Sequence, residues 1–317
     1  MEVASRVVAP VSIGAKNVSV FGAPISPLRD DQIRFKARLK YRQISTEFDV
    51  QISIDRFGNR KTGPADEPEV LFLGDSFTFG HGLRDEETFA SIYCARKKIA
   101  CGNLGRSGTG TRLQLDVLRH YLDVERWRPR EVKLFVLAMT KALLPGNDLS
   151  DNYFYRPADD LATAFAEQGE SRTHFEETTA FKLLNIRSVA LNWSNLARNI
   201  YFTIGPWLRA MFSPAPQAQI LQEALAITRK QFLRLADMAA VYGFDYRIYV
   251  LHPVQDLIRG TSTDTLQKLS GLAAPGRVVG TDFLFTVAPS KFYYRYDGHF
   301  NADGSLKVAE FLLMQDR

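Results

Sequence analysis

From Glu69 onward the chain alternates short apolar runs with stretches of helical periodicity, and that alternation leaves few folds open to it. Val70-Leu71-Phe72-Leu73 is a four-residue apolar run stopped at Gly74, as expected of a strand buried on both faces. A helix over Glu87 to Lys98 follows, then a strand from Ile99 to Leu104, a helix over Arg112 to Tyr121 and a strand from Val132 to Met139. Ile220 to Tyr242 reads as a long amphipathic helix stopped at Gly243. Tyr246 to Leu251 and Val278 to Phe285 read as a fourth and a fifth strand, and Gly304 to Met314 as the closing helix. The expectation is an α/β protein with a three-layer α/β/α, doubly wound, mostly parallel five-stranded sheet. Such sheets bind ligands outside the carboxyl ends of their strands, so the loops there are where chemistry is sought.

The remaining segments decorate that core. Residues 1–65 read as an N-terminal extension packed on it, with short strands, the best being Phe48 to Ile54, where apolar and polar residues alternate. Residues 66–317 form the main domain, with 149–217 a helical cap or insertion holding helices over Phe181 to Leu191 and Ser194 to Met211. The aromatic cluster Trp193, Tyr201, Phe202, Trp207 and Phe212 reads first as a packed helix face. Its functional alternative is a cap that lines an acyl pocket or makes peripheral contact with a membrane.

Composition narrows the partners. The 40 Lys and Arg against 35 Asp and Glu are scattered rather than gathered in a stripe, so no nucleic-acid partner is expected. Cys94 and Cys101 make no metal-ligand pattern. A single bridge between them stays open and would require an oxidising compartment. No stretch reaches the ~18 uninterrupted apolar residues of a membrane span, and Met1 to Pro27 lacks the pattern of a signal peptide. A soluble chain is expected, its compartment left open, a periplasmic or anchored context included.

Four loops carry candidate chemistry. The first strand runs into Gly74-Asp75-Ser76-Phe77, which sets a serine at a strand end where its hydroxyl can project into a cleft. Asp297-Gly298-His299 lies just before the last helix, where the carboxylate can orient the ring and stabilise an imidazolium. The glycine-rich run Asn103 to Gly110 and the later Gly146-Asn147-Asp148 offer backbone and side-chain N–H donors, the requirement of an oxyanion hole. Each of these alone is more often an ordinary turn or helix cap. The glycine run lacks both the P-loop ending and the dinucleotide spacing.

Taken together, Gly-Asp-Ser-Phe, Asn-x-Gly-x-Ser-Gly, Gly-Asn-Asp and Asp-x-His-x-Asn resemble, in order, the sequence blocks of the SGNH/GDSL hydrolase family. The resemblance runs from about Val70 to the end of the chain and is weakest in the cap. It implies the flavodoxin-like fold of that family, with Ser76 as nucleophile, His299 as base and Asp297 as its partner. It further implies an oxyanion hole made of Ser76, Gly108 and Asn147, and no metal or organic cofactor. Two departures stand out. The Asp-x-His spacing is like that of polysaccharide O-acetyltransferase relatives, and Thr140 to Pro145 intervene between the third strand and Gly146. An α/β-hydrolase of the usual kind is disfavoured because no Gly-x-Ser-x-Gly elbow occurs. Arg106 and His252 are candidate substrate contacts, while His81 reads as a turn residue between Gly80 and Gly82. His120 reads as helix surface and His174 as loop.

The expected activity is serine-dependent ester hydrolysis, with a small-molecule or glycan ester as substrate. The alternatives are O-acyl or O-acetyl transfer to a polysaccharide or other glycan, and a non-catalytic glycan-binding module on the same scaffold.

Overall fold

The computed structural model describes residues 19–21, 35, 37–45, 47–63, 67–139, 147–154, 217–295 and 297–316, and these all fall within one compact unit. Five strands, β4 (Val70–Leu73), β5 (Cys101–Asn103), β6 (Glu131–Leu137), β7 (Asp245–Leu251) and β8 (Val278–Gly280), form a sheet of order β5-β4-β6-β7-β8 with every pairing parallel. The chain starts in β4, moves outward to β5, then crosses back to β6 on the other side. That reversal creates a crevice at the carboxyl ends of β4 and β6.

The alternation along β4 explains the layering. Leu71 and Leu73 face one core with α3 (Thr111–Asp123), α4 (Asp148–Phe154), α5 (Gln217–Tyr242) and α7 (Ser262–Ser270). Val70 and Phe72 face the other core with α2 (Phe89–Lys97) and α8 (Ala302–Gln315). A strand covered on both faces has no polar side to show, which is why it reads as a continuous apolar run. Two short helices complete the chain, α1 (Ser76–Phe79) after β4 and α6 (Val254–Arg259) after β7.

The extension adds an antiparallel sheet of β1 (Ser19–Phe21), β2 (Lys40–Ile44) and β3 (Asp49–Ser53). It is fastened to the main sheet's loops by two fully buried arginines. Arg60 pairs through Nε with Asp85 at 3.0 Å and donates to the Leu83 carbonyl at 2.7 Å. Arg106 donates to Asn59 Oδ1 at 2.8 Å and to the Gly105 carbonyl at 3.0 Å, and lies 5.1 Å from the Phe35 ring centroid. Cys94 of α2 and Cys101 of β5 form a disulfide, which settles the pairing that the sequence left open.

Two expectations need correction. Val278 to Phe285 is a strand only as far as Gly280. The chain then turns at Thr281 into a 3-10 helix, Asp282–Phe285. At the sheet edge β8 has only β7 to pair with, and past Gly280 the Thr281 hydroxyl donates to the Val250 carbonyl at 2.8 Å as the chain turns away. Within the span assigned to a cap, Asp148–Phe154 is the core helix α4, whose Leu149 is buried in the main cluster. The two cap helices and the aromatic cluster expected between 181 and 212, together with His174, lie outside the described residues.

Candidate active site

The turn leaving β4 brings the serine to the surface. Gly74 has φ of +157°, and a Cβ there would lie 2.1 Å from Thr78 Oγ1, so only glycine fits. Asp75 caps α1 by accepting the Phe77 N–H at 2.9 Å. The consequence is selective exposure: of residues 70–83, Ser76 is the one that is not buried.

The other half comes from the loop before α8. Gly298, at φ of +85°, turns the chain, the Gly298 N–H bonds to the Tyr294 carbonyl, and the Tyr294 N–H bonds to the His299 carbonyl. Asn301 caps α8 through the Gly304 N–H at 3.0 Å and donates to the Lys291 carbonyl at 2.8 Å. The Phe77 ring packs against the His299 ring at 4.7 Å.

In this frame Ser76 Oγ lies 2.7 Å from His299 Nε2, across a sequence separation of 223 residues. On the far side of the ring, His299 Nδ1 bonds to Asp297 Oδ1. A carboxylate can only accept, so Nδ1 carries the proton and Nε2 is left as the acceptor for the serine hydroxyl. Burial disfavours charge on both members, but the outcome differs. Burial pushes His299 below its ordinary 6.5, only partly offset by Asp297, and the charge of His81 acts in the same direction as burial. Burial opposes ionisation of Asp297 as well, yet the hydrogen bond from His299 and the nearby His81 ring hold its carboxyl well below the usual range. The result is a neutral imidazole beside a firmly ionised carboxylate.

The expected donors take varied positions. Gly108, at φ of +71°, is exposed with open space where a side chain would stand. Neither its N–H nor that of Ser76 has an acceptor among the described residues. Asn147 is fully buried just before α4, where one amide N–H bonds to the Met139 carbonyl at 3.3 Å. Beside it, Asp148 accepts from the Thr111 N–H at 2.9 Å, locking the glycine loop to α4. Burial, with Asp151 nearby, raises Asp148 to about 7. Burial also raises Asp75 to about 8, aided by the charges of Asp148 and Asp151.

The two candidate substrate contacts are corrected. Arg106 has no exposed surface and binds the extension and its own loop, because its backbone leaves β5 next to Gly74 and turns its side chain inward. His252 is 2% exposed at the end of a central strand, covered by Tyr293, whose hydroxyl donates to its carbonyl at 2.8 Å. Burial lowers its pKa, the charges of Asp282 and Asp256 acting the other way.

Two contributors escaped the sequence reading. His81 sits in the expected turn, but that turn carries its Nε2 to 3.5 Å from Asp297 Oδ2. Glu47, in the β2–β3 turn, accepts the Asp297 N–H at 2.8 Å. Neither residue belongs to a motif, and neither neighbours its partner in sequence. Ligand atoms of His81, Asp297 and His299 fall within 4.8 Å of one another, a spacing that could suit a metal ion. However, Ser76 and Asp297 engage both nitrogens of His299, which leaves His81 Nε2 and Asp297 Oδ2, fewer than the three protein ligands of a zinc site.

Fold and site together define a class: a doubly wound α/β protein with a hydroxyl, an imidazole and a carboxylate in line at the carboxyl edge of its sheet. No family model matches the sequence, and no curated protein matches it. Among solved structures, the chain is similar to a protein of Desulfitobacterium hafniense DCB-2 described as lipolytic and of the G-D-S-L family. That match has 12% identity, a TM-score of 0.39, and covers 77% of this chain and 96% of the other. It is also similar to a catalytic mutant of Axe2, an acetylxylan esterase of Geobacillus stearothermophilus, at 13% identity and TM-score 0.39, covering 80% and 95%. A family two carbohydrate esterase of Clostridium thermocellum, in complex with cellohexaose, matches at 13% identity and TM-score 0.38, covering 82% and 66%. These likenesses are general ones, and the functional reading rests on the geometry of the site.

Proposed function

We propose that the chain is a serine esterase that works through an acyl-serine intermediate. The observation that carries this reading is the line from Ser76 Oγ through the His299 ring to Asp297, with a 2.7 Å contact at its reactive end. His299 Nε2 takes the hydroxyl proton while Ser76 Oγ bonds to the ester carbonyl carbon. The carbonyl oxygen becomes an oxyanion, which accepts hydrogen bonds donated by the N–H groups of Ser76 and Gly108 and by the Asn147 amide. Collapse breaks the bond to the leaving alcohol, which receives the proton from His299. Water then gives a proton to Nε2 and attacks the acyl carbon, and Ser76 Oγ departs with that proton. Asp297 stays ionised throughout and stabilises the transient imidazolium.

Fluorophosphonate labelling followed by peptide mapping tests this directly. A single adduct on Ser76, lost in His299→Ala, is expected. Failure of the protein to react under conditions that label a control serine esterase, together with no turnover of small esters, would overturn the reading.

A further inference from the structure

We infer that His81 is a positioning residue of this site, a second imidazole that holds the free oxygen of Asp297 while His299 holds the other. The inference rests on the proposed role of the Ser76–His299–Asp297 line and names a residue that the line does not include.

The geometry is built rather than incidental. His81 is 7% exposed, and its Nε2 has no hydrogen-bond partner of ordinary geometry. The nearest opposite charge is Asp297 Oδ2 at 3.5 Å, and the His81 and His299 ring centroids are 4.6 Å apart. A buried ring nitrogen is costly without a partner, which points it at Asp297, and three contacts fix the ring there. The Gly82 N–H donates to Gln43 Oε1 at 3.2 Å, the Tyr294 hydroxyl donates to the Gly82 carbonyl at 2.8 Å, and the Phe48 ring meets His81 edge to face at 5.5 Å. Gln43 and Phe48 come from the antiparallel sheet of the extension, the same element that supplies Glu47 to the Asp297 backbone. The extension thus braces both the carboxylate and the second histidine.

Holding both carboxylate oxygens fixes the plane of Asp297, and with it the direction of the His299 ring. A neutral His81 supplies an N–H to Oδ2, and a protonated one adds positive charge beside His299. The charged and titratable groups around it are Asp297 and His299 on the loop before α8, Glu47 on the β2–β3 turn, Tyr294, and Glu87, whose charge reaches Tyr294. Both effects of His81 have one sign: its charge opposes protonation of His299, and its hold on Asp297 takes part of the carboxylate's attraction away from His299. Removing it therefore raises the pH at which His299 gains its proton.

The test compares His81→Gln and His81→Leu with the wild-type protein. The readouts are the pH dependence of kcat/KM on a p-nitrophenyl ester and an NMR titration of the His299 ring, which needs no turnover. Both variants should move the His299 midpoint up, by about half a pH unit or more in Leu and by less in Gln, which keeps an N–H for Asp297. The acid limb of the rate profile should move with it. Gln, which keeps an N–H donor, should hold kcat within about threefold, whereas Leu should lose about tenfold with KM little changed. An unmoved His299 midpoint in both variants, or a Leu variant with wild-type kcat, would overturn the inference. If Leu fails to fold, the midpoint in Gln decides. If the wild-type protein neither turns over esters nor labels at Ser76, the esterase reading falls, and the NMR midpoints still decide the role of His81.

Discussion

Ser76 and His299 stand 223 residues apart and meet at 2.7 Å, and in the proposed mechanism each depends on the other. Ser76→Ala and His299→Ala should each lower kcat on a small ester by about a thousandfold or more, and the double variant should be little worse than either single one, because the two groups act as a unit. Steady-state rates on the three purified variants check this. Asp75, the neighbour of Ser76, makes a different prediction. Its ordinary value is 3.8 and burial raises it to about 8, so between those values the folded protein keeps a proton that the unfolded chain releases. Stability attributable to this group therefore falls as pH rises through that window. Asp75→Asn keeps an acceptor for the Phe77 N–H and removes the titration. Its melting temperature should decline less than that of wild type between about pH 5 and about pH 8. Some slope should remain, because Asp148, raised to about 7, has the same sign.

At the scale of elements, the extension acts as part of the site scaffold. Its β2–β3 turn presents Glu47 to the Asp297 N–H and Phe48 to His81 and Tyr294. Glu47→Ala should leave the melting temperature nearly unchanged, since its carboxylate is only partly buried, but reduce kcat by loosening the Asp297 loop. Equal rates for variant and wild type would show that the loop holds its shape unaided. The disulfide between α2 and β5 closes a short loop, of sequence separation 7. Replacing both cysteines by serine should cost about 2 kcal/mol in chemical denaturation, mostly through the unfolded state. Strand β4 was legible because burial on both faces leaves it apolar throughout, and β6 and β7 because their second halves, Leu134–Leu137 and Ile248–Leu251, are apolar and buried. Beyond β8 the aromatic and aliphatic residues Phe283, Leu284 and Phe285 continue the apolar pattern but wrap as a 3-10 helix whose Phe285 is buried in the second core.

For the molecule as a whole, the penultimate residue ties the last helix to the sheet. Lys133 of β6 has no side-chain exposure. Its ammonium lies 2.7 Å from Glu131 and 3.2 Å from Asp316, which also accepts from the Tyr93 hydroxyl. Asp316→Ala should destabilise the fold by about 3 kcal/mol, because it leaves a buried cation with half its counter-charge. Thermal or urea denaturation measures this, and a loss below about 0.5 kcal/mol would mean that Glu131 alone suffices.

The sequence by itself determined the α/β class and pointed to Ser76, Asp297 and His299, at strand-end loops, as a candidate site. These follow from local rules: two-sided burial writes an apolar run, a tight turn writes glycine, and the carboxylate and histidine lie two residues apart. Only the tertiary structure decided which groups surround that line. It turned Arg106 inward to the extension, sealed His252 under Tyr293, and brought Glu47 and His81 to Asp297. Those outcomes depend on contacts between segments far apart in the chain. A side chain's direction is fixed there by what packs against it, and no short stretch of residues encodes that.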